Sequence, residues 1–233
     1  MITLMSIKVE HNDDVSVLTL GEGENRLTPE WMAEVEAALD ELEARPAPRA
    51  LVTHAEGKIW SNGLDLDWLH GRSPEEVRSY VDQVHELLAR FLGASVFTVA
   101  AVQGHAFGAG AMLALAHDQR VMRADRGFLC LPEADVDVPF TPGMTALLQS
   151  KLPTVVRTEL MVGALRLGGD DALQAGVVTR AVEADDVLAE AVEMAGAHAG
   201  KTPATLATIK GRLYARELVT LRDRSVNAMS FQI

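Results

Sequence analysis

The sequence is poor in cysteine and in basic charge. Its single cysteine, Cys130, excludes an internal disulfide and a metal site built from several cysteines, and it suits a reducing compartment. Lysine and arginine together number 21 against 33 acidic residues, which gives a formal net charge of −12. Nucleic acids and anionic membranes attract basic protein faces, so we predict neither as a partner. We expect a cytoplasmic protein.

Long apolar runs and targeting signals are missing too. No stretch reaches the roughly 18 consecutive apolar residues of a membrane span, and residues 1–8, MITLMSIK, do not resemble a secretory leader. The final residues, FQI, differ from a peroxisomal signal of the Ser-Lys-Leu type. The spacing of His54, His105 and His117 matches no zinc motif such as His-Glu-x-x-His, so we predict structural histidines and no metal.

What remains is the composition of an ordinary globular protein, with 48% apolar and 23% charged residues. Alternating apolar runs at residues 7–10 and 15–20 predict an opening β-hairpin. Ser73 and Glu76 have the spacing of a helix capping box. A β-branched run at residues 96–102 predicts a strand that leads straight into a glycine-rich turn and a helix. Strands interleaved with helices indicate the α/β class.

The second half of the chain differs from the first. From residue 141 onward the pattern is mostly helical, and a strand at residues 177–182 interrupts it. We therefore predict a core domain over residues 1–185 and a C-terminal helical portion over residues 186–233. The apolar faces of these last helices are modest, which is typical of helices that pack on a neighbouring subunit.

Glycine and alanine dominate the turn at residues 104–112. Small side chains leave backbone N–H groups uncovered, and the first N–H groups of the following helix point the same way, so an anion or a polarised oxygen suits this turn. The turn matches neither the dinucleotide fingerprint nor the phosphate loop of ATPases. No serine, cysteine or threonine lies between Gly104 and Asp118, which argues against a covalent hydrolase. Close packing of helix on sheet is the alternative interpretation.

A second loop, Ser61–Asp65, repeats this arrangement on a smaller scale. A glycine follows a strand and precedes an Asp-led helix, so Leu64 offers a second backbone N–H donor. Two donors directed at one oxygen form an oxyanion hole. A plain N-capping turn with Asp65 as the cap is the alternative.

One carboxylate stands out beyond the glycine-rich turn. Glu133 follows Pro132 at the end of a short apolar run, where a carboxylate has no evident structural duty. A salt bridge to Arg123 or Arg126 is the structural alternative. An N–H-rich turn and one carboxylate together suit removal of a proton beside a carbonyl group.

Four segments, in their order and spacing, resemble the crotonase, or enoyl-CoA hydratase/isomerase, family. They are residues 61–66, 101–110, 118–120 and 132–133. The likeness extends over most of residues 7–185 and is strongest to the plant-type monofunctional Δ3,Δ2-enoyl-CoA isomerases. It implies a crotonase-like spiral of ββα units with a C-terminal helical portion that covers the acyl-CoA. It also implies a homotrimer or a dimer of trimers, and a role in fatty acid β-oxidation.

The resemblance assigns roles to individual residues. It implies that the N–H groups of Leu64 and Ala109 hold the thioester oxygen and that Glu133 is the acid/base. Coenzyme A enters as part of the substrate, so no separate cofactor is expected. The implied substrate-binding residues are Ser61, Asn62, Gly63, Leu64, Asp65, Gly108, Ala109 and Pro132.

Two expected acids are absent. Hydratases of this family use a second glutamate, whose position is Met112 here, and dienoyl-CoA isomerases carry acids at the positions of Met112 and Thr141. A single carboxylate suits a proton shuttle along one face of the acyl chain. The resemblance therefore favours conversion of a 3-enoyl-CoA to a 2-enoyl-CoA, with Glu133 removing a proton from C2 and returning one to C4.

Other reactions of the family stay open. Hydration, thioester hydrolysis or decarboxylation would need Asp135, Asp137 or His105 to supply the missing group. A non-catalytic acyl-CoA-binding subunit is a further alternative. An anionic coenzyme on so acidic a chain needs a local basic patch. The candidates for it are Lys58, Lys201, Lys210 and Arg212.

Overall fold

The computed structural model describes residues 7–227 and confirms the α/β class. The strands, in chain order, are β1 (Lys8–Asn12), β2 (Val15–Thr19), β3 (Ala50–His54), β4 (Ile59–Ser61), β5 (Phe97–Val102), β6 (His105–Phe107), β7 (Gln119–Arg123), β8 (Leu129–Cys130) and β9 (Arg180–Val182). The helices are α1 (Pro29–Ala44), α2 (Leu66–Leu69), α3 (Pro74–Leu92), α4 (Ala109–Ala116), α5 (Pro142–Lys151), α6 (Thr154–Met161), α7 (Gly169–Gln174), α8 (Val187–Gly196), α9 (Pro203–Leu213) and α10 (Ala215–Arg222). Short 3-10 turns lie at Pro132–Ala134 and Ala184–Asp186.

Two sheets share the strands. The larger sheet has the order β1-β2-β3-β5-β7-β9, with β1 antiparallel to β2 and the remaining pairs parallel. The smaller sheet has the order β4-β6-β8 and is parallel. The successive pairs β3–β4, β5–β6 and β7–β8 each place the first strand in the large sheet and the second in the small sheet. Helical structure follows each pair. This is the expected succession of ββα units.

Side-chain caps begin several of the helices, and the predicted capping box is one of them. The Thr28 hydroxyl caps α1 by accepting a hydrogen bond from the Trp31 N–H at 3.1 Å. Ser73 and Glu76 form both bonds of the capping box at the start of α3. Asp65 caps α2 through the Trp68 N–H at 3.2 Å. Because a helix cap depends on two residues three positions apart, a local sequence pattern can predict it.

The prediction that the strand at 96–102 leads straight into the turn is wrong. Between them lies β6, whose residues pair with β4 and β8 in the small sheet. Gly104 permits this change of sheet, because a Cβ there would lie 2.2 Å from the carbonyl oxygen of Lys58. The helix begins at Ala109, inside the predicted turn at residues 104–112, and β9 is shorter than the predicted strand at residues 177–182.

The large sheet is packed on both sides. On one face, small and β-branched residues of β2, β3, β5 and β7 contact α8. The other face supports the main core, to which α1, α3, α4 and α5 contribute. Helix α8 is thus part of the core of its own chain, whereas α9 leaves Ile209 and Leu213 more than half exposed. The division at residue 185 stays a prediction. Among residues 7–227, no helix is both long and apolar enough to cross a membrane.

Two helical glycines give a matched test of the packing. A Cβ on Gly110, in α4, would lie 2.5 Å from the carbonyl oxygen of Ser61, whereas a Cβ on Gly211, in α9, would meet nothing within 4 Å. Gly110→Ala should lower the free energy of unfolding by about 1–3 kcal/mol through overpacking. Gly211→Ala should raise it by about 0.5–1 kcal/mol through helix propensity. Urea unfolding measures both, and equal effects would refute the close contact of α4 with β4.

Candidate active site

The loop after β4 leaves one backbone N–H unused. The loop consists of residues 62–65, and three of these four residues donate their backbone N–H to a hydrogen bond within the protein. Within residues 7–227, the N–H of Leu64 has no partner. The three bonds run from Asn62 to the Glu24 carbonyl at 2.9 Å, from Gly63 to the Ser61 hydroxyl at 3.3 Å, and from Asp65 to the Tyr80 hydroxyl at 2.9 Å. The loop is therefore fixed by its own hydrogen bonds while one donor stays available.

The same loop touches the first turn of α4. Gly63 has φ of +78°, and a Cβ on it would lie 2.6 Å from the Phe107 oxygen and 2.9 Å from the Ala109 nitrogen. Only glycine fits this backbone contact, which brings Leu64 beside Ala109. Ala109 is the first residue of its helix, so its N–H has no intrahelical partner, and none elsewhere in the described chain. Two free N–H groups thus lie next to each other.

Glu133 lies in the 3-10 turn after β8. Its side chain is buried, with 8% of the residue exposed, and within residues 7–227 its Oε2 has no hydrogen-bond partner. A Cβ on Gly108 would lie 3.2 Å from its Oε1, so the carboxylate points at the start of α4. The salt-bridge alternative for Arg123 is wrong, because that side chain binds Asp125 at 2.8 Å.

Burial sets the acidity of this carboxyl group. Removal from water disfavours the ionised form, and burial raises the pKa of Glu133 to about 7. A carboxylate with a pKa near neutrality accepts a proton from carbon more readily than an ordinary one, and it also returns that proton efficiently. The group is therefore suited to act as base and then as acid.

These groups surround one pocket of about 230 Å³. Six of the residues expected at the site line it, namely Asn62, Leu64, Gly108, Ala109, Pro132 and Glu133. The structure thus brings the expected N–H donors and the expected carboxylate into one cavity.

Three expected binding residues lie behind the pocket instead of lining it. Ser61 is fully buried, and its hydroxyl donates to the Asn25 carbonyl at 2.7 Å. Gly63 makes the backbone contact with α4, and Asp65 caps α2 while pairing with Arg26 at 3.0 Å. These residues hold the loop that carries Leu64.

Six residues that line the pocket were missed by sequence reasoning. They are Leu66, Phe107, Cys130, Val136, Val138 and Arg166. Most supply apolar wall, as expected for an acyl group. Arg166 lies at the pocket because its neighbour Leu167 forms backbone hydrogen bonds with Leu129 of β8. No local sequence pattern predicts this long-range pairing.

No second carboxylate lines this pocket among the described residues. Met112 is buried in α4, and Thr141 caps α5 while its hydroxyl bonds His85 at 2.8 Å. Of the three groups considered as replacements, Asp135, Asp137 and His105, none lines this pocket, although Asp137 lines a neighbouring cavity. Among the described residues, Glu133 is therefore the one acid that lines the pocket shared with Leu64 and Ala109.

The expectation of Lys210 as a phosphate ligand is wrong. Its ammonium is buried, pairs with Asp118 at 2.6 Å and donates to the Val96 carbonyl at 2.8 Å. The Lys210 ammonium therefore has a structural role, because loss of either member of a buried ion pair leaves the other charge buried and unpaired. Within residues 7–227, Arg166 is the basic residue that lines the pocket.

Comparison with known proteins shows what this site resembles. The family model described as enoyl-CoA hydratase/isomerase matches residues 10–232. The chain belongs to the enoyl-CoA hydratase/isomerase family. Enoyl-CoA delta isomerase 3 of Arabidopsis thaliana is 33% identical, over 95% of this chain and 97% of its own length.

Solved structures of the family confirm the crotonase-like fold. A probable enoyl-CoA hydratase of Mycobacterium tuberculosis is 25% identical, with a TM-score of 0.87 over 94% of this chain and 92% of that one. The human mitochondrial delta3-delta2-enoyl-CoA isomerase is 24% identical, with a TM-score of 0.88 over 95% of this chain and 89% of that one. The order of strands and helices is thus shared along nearly the whole length.

The raised pKa of Glu133 predicts a pH-dependent stability. The folded group keeps its proton up to about pH 7, whereas the unfolded group loses it near the ordinary glutamate pKa of 4.5. The protonated Glu133 therefore contributes fully to the free energy of unfolding below pH 4.5. This contribution, about 3 kcal/mol, is lost as the pH rises from 4.5 to 7. Glu133→Gln removes the cost of burying the charge.

Urea unfolding at pH 5 and pH 8 tests this prediction. The variant should gain stability relative to wild type at pH 8 and little at pH 5. The exposed Glu193 offers a control, and Glu193→Gln should follow the wild-type pH dependence. If the free energy of unfolding of Glu133→Gln, relative to wild type, does not increase between pH 5 and pH 8, burial does not raise the pKa of Glu133.

Proposed function

We propose that this protein shifts the double bond of a 3-enoyl-CoA to give a 2-enoyl-CoA, with Glu133 as the single acid/base. The observation that carries the proposal is a buried carboxylate whose Oε2 has no hydrogen-bond partner among the described residues, in the same pocket as the N–H groups of Leu64 and Ala109, which also have none there. The names of relatives agree, since the Arabidopsis protein and the human structure both carry the name isomerase.

The first step follows from the arrangement of donors and base. The thioester oxygen accepts hydrogen bonds from Leu64 and Ala109, and Glu133 removes a proton from C2 of the acyl chain. Negative charge then moves onto the thioester oxygen of a dienolate, where the two N–H groups stabilise it. Loss of one such donor typically costs about 3–4 kcal/mol of transition-state stabilisation.

The second step uses the same carboxyl group. Glu133, now protonated, delivers the proton to C4, the double bond moves to C2–C3, and the carboxylate is regenerated. No net proton, electron or water is consumed. Hydration would need a second group to direct water, and the pocket holds no other carboxylate among the described residues. The geometry therefore favours isomerisation over hydration.

Further features belong to the same proposal. The acyl-CoA thioester is the only small-molecule partner required, because coenzyme A belongs to the substrate. The loop residues Ser61, Gly63 and Asp65 support binding by holding Leu64 in place. We propose assembly into a homotrimer or a dimer of trimers through the C-terminal helical portion, and a cytoplasmic role in fatty acid β-oxidation. The exposed apolar residues of α9 and the single cysteine support these assignments.

Replacement of the carboxylate tests the proposal. Glu133→Gln keeps the size of the side chain but has no basic oxygen, so kcat for a 3-enoyl-CoA should fall at least about a thousandfold. The affinity for a saturated acyl-CoA should remain within a few-fold of wild type, as measured by calorimetry. A kcat of this variant close to the wild-type value would contradict the single-base mechanism. Wild-type hydration of a 2-enoyl-CoA at a comparable rate would favour the hydratase alternative.

The pH profile gives an independent check. Proton removal needs the ionised carboxylate, and the pKa of Glu133 is about 7. The logarithm of kcat/KM should therefore rise with unit slope through acidic pH and level off above about pH 7. A profile that is flat from pH 5 to pH 8 would contradict Glu133 as the base.

A further inference from the structure

A cation, Arg166, lines the same pocket as Glu133, and the two charged groups do not pair. Within residues 7–227, Arg166 forms no ion pair with any carboxylate. In the same part of the chain, the Oε2 of Glu133 has no hydrogen-bond partner. A guanidinium bound to that oxygen would favour the ionised carboxylate and lower its basicity. The positive charge therefore lies in the pocket without neutralising the base.

Two titratable neighbours of this guanidinium are neutral. Burial raises the pKa of the Cys130 thiol, so the thiol keeps its proton at physiological pH. Burial, and with it the charge of Arg166, lowers the pKa of His105, so the imidazole carries no charge there. Asp135 does not line the pocket. A negative group that pairs with Arg166 inside the pocket has to come from a ligand.

The small sheet fixes the order of the groups along the pocket. Its strands run β4-β6-β8, and Leu167 adds an antiparallel bridge at the edge of β8 that faces away from β6. The two N–H donors follow β4 and β6, Glu133 follows β8, and Arg166 directly precedes Leu167. The order across the sheet is therefore donors, base and guanidinium.

The proposed reaction directs an acyl chain along this order. This step rests on the proposed function: the thioester oxygen lies at the N–H groups, and one carboxylate serves both C2 and C4 only if the chain crosses it. The carbons beyond C4 then continue from Glu133 toward Arg166. Because C4 receives a proton, a charged group on the chain has to be at C5 or further. The pocket measures about 230 Å³, which suits a short chain.

The backbone that carries Arg166 is held on both sides. Leu167 exchanges two backbone hydrogen bonds with Leu129, at 2.9 and 3.0 Å. On the other side, the N–H of Leu165 donates to the Glu159 carbonyl at 3.0 Å. A fixed backbone reduces the entropy that is lost when the side chain binds a ligand. Arg166 itself is exposed, so a charged group reaches it without losing all of its water.

We propose that Arg166 binds a carboxylate at the far end of a short acyl chain, so that the preferred substrates are 3-enoyl-CoA thioesters of dicarboxylic acids. A guanidinium offers two parallel N–H donors to one carboxylate, which selects it over a neutral methyl end. A phosphate of the coenzyme has related chemistry. The coenzyme, however, is attached at the thioester sulfur, on the donor side of the base.

Binding of saturated acyl-CoAs tests this proposal without turnover. Glutaryl- and adipyl-CoA carry the carboxylate at C5 and C6, and pentanoyl- and hexanoyl-CoA are their neutral counterparts. By calorimetry, at least one carboxylated thioester should bind wild type about tenfold more tightly than its counterpart. Arg166→Gln should abolish this preference, and Arg166→Lys should keep part of it. Arg126→Gln, which changes an exposed arginine shortly before β8, is the control and should keep the wild-type preference.

Free coenzyme A distinguishes the two sources of an anion. If Arg166→Gln weakens binding of free coenzyme A as much as that of the carboxylated thioesters, Arg166 binds a phosphate and the proposal is wrong. Equal wild-type affinities within both pairs of thioesters overturn it as well. If Arg166→Gln does not fold, the wild-type pairs and Arg166→Lys decide.

The outcomes also separate this proposal from the proposed function. A carboxylate preference that Arg166→Gln abolishes, in a protein that isomerises no 3-enoyl-CoA, supports the role of Arg166 and refutes the reaction. Isomerisation of 3-enoyl-CoA without any carboxylate preference refutes the role of Arg166 alone.

Discussion

The contact of Gly63 with the first turn of α4 is the constraint on which the site depends. The glycine has no side chain and a positive φ, so its backbone approaches the Ala109 nitrogen more closely than any other residue would allow. Gly110 makes a similar contact with Ser61 one residue further along the helix. The segments that follow two neighbouring strands of the small sheet, β4 and β6, are thereby joined, and their unused N–H groups come to one pocket. The rigid hydrogen bonding of the loop keeps Leu64 available at low entropic cost.

The second feature is a carboxylate held in an environment that disfavours its charge. Glu133 is buried beside apolar residues, its Oε2 is unpaired among the described residues, and burial raises its pKa to about 7. Such an arrangement opposes stability at neutral pH, and buried unpaired charges of this kind concentrate at functional sites. Because Met112 stands where the family resemblance implies a second acid, we propose Glu133 as the acceptor of the proton that leaves the substrate. The reaction that this proposal leaves is proton transfer along the acyl chain.

The sequence predicted these features unevenly, and the reasons are physical. The helix caps at Asp65 and Ser73 depend on residues three positions further along the chain, so the local sequence pattern predicted them. The strand at His105–Phe107 is only three residues long, and its existence depends on partners elsewhere in the chain. The donors and the base were found through their spacing and the family resemblance. The wall residues Val138 and Arg166 were not, because only tertiary packing brings their segments to the pocket.

The central claim is that one carboxyl group carries a proton from C2 to C4. The most direct measurement is a single turnover, in ordinary water, of a 3-enoyl-CoA that bears deuterium at C2, followed by mass spectrometry of the product. Because Glu133 is largely shielded from solvent, we predict that part of the deuterium appears at C4. A product whose C4 carries only solvent hydrogen, at every time and pH sampled, would contradict transfer by a single buried base.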